Sequence, residues 1–232
     1  QAASAHLYQS RQRLLDAMAW RGPALVSVFS GATGHAGDLP PYLVAAAAMA
    51  SRAFPAFTFD PSAGQDWAAR LHLEENPQVD RDWVVQPFAW EDERHQRASG
   101  DVAFTLVDFA ACDRRAAKHF ARVPRAEWNG HMIGVPEAIA SGAAGRSDDV
   151  PAVLMVDRHL ALQRVIVDDK LIREARRCRE VWNNLQGLGR PPAAASARQV
   201  PPPEASAGHD DSSATPAPTP APTPRPTPER TA

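Results

Sequence analysis

Arg21-Gly22-Pro23-Ala24-Leu25-Val26-Ser27-Val28-Phe29-Ser30-Gly31 opens the stretch that decides the fold, and Ala53-Phe54-Pro55-Ala56-Phe57-Thr58-Phe59-Asp60-Pro61 closes it. Between them lie a loop with glycines and histidine, then Pro40-Pro41-Tyr42-Leu43 at the head of an alanine-rich run. Two short apolar runs around a helical pattern, with Gly or Pro at each junction, predict a β-α-β unit. The 25–29 run is nearly continuous in apolar side chains, the pattern of a parallel strand covered on both faces. Open α/β sheets place ligands beyond the carboxyl ends of their strands, so the 30–37 loop is the expected ligand-facing segment. Its glycines 31, 34 and 37 could bring backbone N–H groups to a phosphate. No Walker lysine or Gly-x-Gly-x-x-Gly spacing accompanies them, which makes the phosphate cradle the weaker reading.

Gly22-Pro23-Ala24-Leu25-Val26-Ser27-Val28-Phe29-Ser30, a loop and helix, and Ser51-Arg52-Ala53-Phe54-Pro55-Ala56-Phe57-Thr58-Phe59-Asp60-Pro61 follow one another in that order. This run resembles the end of the thiamine-diphosphate domain of pyruvate:ferredoxin (flavodoxin) oxidoreductases and related 2-oxoacid:acceptor oxidoreductases. There a Gly-Pro-Ser-Leu strand enters a Ser-Pro-Cys loop, and a helix leads to an aromatic strand ending Tyr-Asp-Pro. Further on, the 150–157 run from Val150-Pro151-Ala152 to Val156-Asp157 and the 165–175 run from Val165-Ile166-Val167 to Glu174-Ala175 resemble the C-terminal segment of large fused bacterial members. The similarity spans roughly residues 5–189.

The resemblance implies oxidative decarboxylation of a 2-oxoacid, with thiamine diphosphate and Mg²⁺ as the reacting centre and iron-sulfur clusters passing electrons to ferredoxin or flavodoxin. It implies that residues 1–61 are the end of a thiamine-diphosphate-type parallel-sheet α/β domain. Residues 62–189 would be an α+β extension packed on it, with a β-hairpin and a C-terminal helix. Ser30, Gly31 and Gly34 would lie near the cofactor, and the other partners would be the remainder of the same enzyme and a second copy in a homo-oligomer. Two departures bear on this. Ser30-Gly31-Ala32 stands where the family has Ser-Pro-Cys, so the cluster-holding cysteine cannot be carried over, and no Gly-Asp-Gly cofactor clamp occurs. No residue is therefore assigned a catalytic or metal-binding role. The start at Gln1, without an initiator Met, is read as a fragment edge.

Composition fits this picture without naming it. Among 232 residues, 44% are hydrophobic, enough for a packed core, and a net charge of −2 gives no field that would call for nucleic acid or an anionic membrane. No apolar run approaches the ~20 residues of a membrane span. A cytoplasmic location is expected, with Cys112 and Cys178 as two buried thiols in preference to a disulfide. From about residue 190 the chain turns to Pro, Ala, Ser and Thr, the composition of a disordered polyproline-type tail (190–232).

Along the rest of the chain, Leu7, Leu14, Leu15 and Met18 predict a surface helix, and Asp38 is a candidate cap for the helix entered at Pro40-Pro41. Phe109, Cys112, Ala116 and Phe120 recur at helical spacing and predict a second surface helix. The 153–156 and 162–167 runs predict a hairpin, and Asp168 or Asp169 should cap a last helix with Leu171, Ile172, Ala175, Cys178, Trp182 and Leu185 on one face. Glu91-Asp92-Glu93 reads as solvated charge, since its spacing suits no EF-hand. His119 has no carboxylate or cysteine at ligand spacing and reads as a solvated or satisfied histidine, as do His72, His95, His131 and His159. A Gly-x-Ser-x-Gly elbow is absent. The alternative reading is a non-catalytic interaction domain that uses the basic last helix and the Pro-rich tail.

Overall fold

The computed structural model describes residues 1–92, 94–141 and 148–189; the expected tail and most of the 142–149 loop lie outside these. The chain is mixed α/β, with small sheets and helices.

The opening third departs from the expected β-α-β unit. β1 (Ala2–Ala3) pairs in parallel with β2 (Val28–Phe29), and α1 (Arg11–Ala19) between them buries no residue. α2 (Pro41–Ala50) follows, and β3 (Thr58–Phe59) then pairs antiparallel with β4 (Leu71–His72), which is entered from the single turn α3 (Trp67–Arg70). The two apolar runs thus belong to different sheets. The 25–29 run is not covered on both faces: Leu25 is 93% exposed and Val26 46%. Its neighbour β1 is two residues long before the chain turns into a 3-10 helix, so no ladder exists to hold more of the run.

α2 itself forms as expected, with Pro41 in the first turn, where a missing N–H removes no helical bond. Asp38 does not cap it. Pro40 occupies the cap position, its carbonyl taking the amides of Leu43 and Val44 at 3.0 and 3.3 Å. Val44, Ala45, Ala48 and Met49 are buried, and the small side chains let Ala3 and Ala56 pack against the helix.

β5 (Val84–Glu91) and β6 (Arg97–Phe104) form a fully registered antiparallel hairpin, from Val84 opposite Phe104 to Glu91 opposite Arg97. The predicted second surface helix is broken in two. α4 (Leu106–Ala111) starts at Thr105, whose hydroxyl accepts the Val107 amide while the Asp108 carboxylate accepts the Thr105 amide at 2.7 Å. At Asp113 the chain restarts as a 3-10 helix (Arg114–His119), because the Asp113 carboxylate accepts the Arg115 amide at 2.8 Å. A side chain that bonds its own following backbone competes with helix continuation.

β7 (Phe120–Val123), β8 (Met132–Gly134), α5 (Val135–Ala140), β9 (Val150–Val156) and β10 (Leu162–Val167) complete a four-stranded sheet in the order β7-β10-β9-β8. β9 and β10 form the expected hairpin, and β8 joins β9 in parallel. α6 (Asp169–Gly189) carries the expected apolar face. Its Ile172 and Ala175 enter the main core with Trp83, Val107, Val153 and Val165, and its Trp182 enters a second core with Leu71 and Leu73. All described residues fall within one compact unit.

Candidate functional site

The 30–37 loop leaves β2 and folds back over α2. Gly31 is buried with φ +74°, and a Cβ there would collide with the Pro41 carbonyl oxygen, so the close approach of loop and helix demands glycine. Ser30 is exposed; its hydroxyl accepts the Ala32 amide at 3.2 Å, and its carbonyl accepts the Ser4 hydroxyl at 3.0 Å. Gly34 is exposed at φ +70° with open space around it. The three residues predicted to face a ligand do not converge: Gly31 packs inward on α2, while Ser30 and Gly34 face outward.

Two other residues of that loop, Thr33 and Ala36, line an open cleft of about 410 Å³. Its floor is apolar, built from Val44 of α2, Leu106 and Phe109 of α4, and Leu171 of α6. The 3-10 helix supplies a charged rim of Asp113, Arg115, Lys118 and His119. Arg115 grips both carboxylate oxygens of Asp113, through Nε at 3.1 Å and Nη2 at 2.6 Å, and this pairing holds the Asp113 carboxyl down at about 2. The pair leaves no net charge. Lys118 has no hydrogen-bond or ion-pair partner among the described residues.

His119 is a satisfied histidine, held by a carboxylate distant in sequence. Its Nδ1 lies 2.5 Å from Asp168 Oδ2, and the Asp168 amide donates to the His119 carbonyl at 3.2 Å. Asp168 also caps α6, accepting the Leu171 amide at 3.0 Å. The Leu171 amide first, and His119 second, hold the Asp168 carboxyl below the usual carboxylate range. Pairing of β7 with β10, Phe120 opposite Val167, brings the two residues together across the sequence. No local spacing could have revealed it; only the pairing of the two strands does.

Cys112 also lines the cleft, and burial first, then Asp108, pushes its thiol up. Cys178 lies elsewhere, its Sγ donating to the Arg52 carbonyl at 3.2 Å, and burial pushes its thiol up to about 11. Arg52 is 2% exposed. Its Nη2 donates to the carbonyls of Pro77, Gln78 and Arg81 at 2.9, 2.7 and 3.1 Å, and its guanidinium stacks 4.2 Å over the Trp182 ring. That cage ties the 77–82 loop to α6.

The residues present do not fit a resident cluster or a metal-clamped diphosphate. The two thiols are engaged at separate places, and among the described residues no group of three or more His, Cys, Asp or Glu side chains is placed to hold a metal ion. No helix among the described residues is long and apolar enough to cross a membrane. Compared with known proteins, the chain matches no family, no curated protein and no solved structure.

Proposed function

We propose that this chain is the C-terminal portion of a 2-oxoacid (pyruvate-type):ferredoxin or flavodoxin oxidoreductase, completing a sheet and walling a thiamine-diphosphate site held by another part of the enzyme. The observation that carries the reading is the bare apolar run that leads into β2. Leu25, Val26 and Val28 are 93%, 46% and 42% exposed, although their run has the composition of a strand buried on both faces. Met18 and Trp20 of the preceding segment are exposed as well. Exposed large apolar side chains gathered in one stretch of chain are what a docking partner covers. The collinear resemblance across residues 22–61 names the partner: the rest of a thiamine-dependent sheet domain.

In this role the chain supplies no acid, base or electron carrier. Its loop, held by Gly31 against α2, forms a rigid wall, while cofactor and metal ligands come from outside the described residues. Ferredoxin or flavodoxin would accept the electrons, in a soluble, homo-oligomeric, cytoplasmic enzyme.

The test is to express the encoding reading frame extended upstream of Gln1 and to measure 2-oxoacid-dependent reduction of methyl viologen. Activity that requires thiamine diphosphate and is lost in Leu25→Asp supports the reading. A frame with no thiamine domain, or activity indifferent to Leu25→Asp, overturns it in favour of the interaction-domain alternative.

A further inference from the structure

The cleft behind the 30–37 loop has a chemistry of its own, which does not depend on the oxidoreductase reading. Its volume of about 410 Å³ lies at the small end of the range for organic-ligand pockets. Val44, Leu106, Phe109 and Leu171 offer a continuous apolar floor. Of the ionic groups on its rim, Asp113 and Arg115 satisfy each other through bidentate contact. Lys118 is left as the one rim cation without a partner among the described residues. His119 beside it gives its Nδ1 to Asp168, so Nε2 of the neutral ring is an acceptor, which leaves Lys118 as the group that meets an anion. A carboxylate that holds a histidine by Nδ1 fixes its orientation.

We propose that this cleft binds a small carboxylic acid with a branched or aromatic body, its carboxylate at Lys118 and its apolar part on the floor between α4 and α6. A neutral ligand of the same shape would leave the Lys118 ammonium without its counter-charge, and a dianion would bring a second charge onto an apolar floor that offers it no partner. Because Thr33 and Ala36 form one side of the cleft, an occupant touches the loop that Gly31 anchors.

The experiment uses the full 232-residue chain, titrated with phenylacetate and 3-methylbutanoate and, in parallel, with phenylacetamide and 3-methylbutanamide, and followed by amide chemical shifts. Saturable binding of the acids in the millimolar range is expected, with shifts at Thr33, Phe109 and Lys118 and binding of the amides weaker by about tenfold. Lys118 is exposed, so Lys118→Gln should keep the fold and its melting temperature while weakening the acids by about fivefold or more. Equal affinity for acid and amide, shifts confined to residues away from the cleft, or full affinity in Lys118→Gln would each overturn the assignment.

Discussion

At the scale of single residues, two positions hold the loop and the core and are open to direct test. Gly31→Ala forces a side chain into a left-handed backbone and against the Pro41 carbonyl. The expected loss is about 2 kcal/mol or more, read by urea denaturation, while the same change at Gly34, where the added methyl meets open space, should cost about 1 kcal/mol from backbone strain alone. Arg52 joins four carbonyls of the 77–82 loop, those of Pro77, Gln78, Arg81 and Asp82, to the Trp182 ring. Arg52→Ala strands those acceptors and should destabilise by about 3 kcal/mol; Arg52→Lys cannot reproduce the planar fork or the stacking and should recover less than half of that. Cys178, with its thiol held up at about 11, and Cys112, also raised, should both react slowly with iodoacetamide at pH 8 in the folded chain and rapidly in denaturant. Fast labelling of Cys178 in the native state would contradict the buried thiol bonded to Arg52.

At the scale of elements, legibility followed periodicity. α6 was readable because its 3.6-residue apolar pattern runs uninterrupted along one face, and the β9–β10 hairpin because two apolar runs flank the 157–161 turn. β6 was not, since Arg97-Ala98-Ser99-Gly100-Asp101 is polar and carries glycine, as a strand in a two-stranded ribbon with one wet face can afford. The 104–120 block misled because Phe109, Cys112, Ala116 and Phe120 keep helical spacing across the Asp113 break, and a spacing rule does not see a capping carboxylate restart the chain. Of the candidate site, the 30–37 loop was legible from its glycines, but the cleft was not, because His119 and Asp168 meet only through β7–β10 pairing. Asp168 joins that site to the start of α6, which makes its charge testable. Its carboxyl is held low in the folded chain, so its contribution is fully present above the ordinary carboxylate range near 3.8 and is lost as pH falls below that value through the folded one. Asp168→Ala should cost about 1 kcal/mol at pH 7 as a lost cap, and the gap between variant and parent in urea midpoints should close by pH 2. A gap that persists unchanged in acid would show that the carboxylate charge contributes nothing.

At the scale of the whole molecule, Leu25 and Met18 contribute little to the chain's own stability, because they are 93% and 81% exposed. Leu25→Glu should therefore leave the melting temperature within the change expected for about 0.5 kcal/mol, while lowering binding of an apolar dye and self-association in sedimentation. A large drop in melting temperature would mean that the strand is already packed in solution. Two of the cores depend on α6, which enters both the main core and the Trp182 core. Chain synthesis runs at about 5–20 residues per second, so on the order of ten seconds pass between the appearance of Arg52 and that of Trp182. During that interval Arg52 has no ring to stack on, and the main core lacks Ile172 and Ala175. A nascent chain halted before α6 should consequently remain protease-sensitive throughout and occupy chaperones, and release of the helix should bring both cores to protection together.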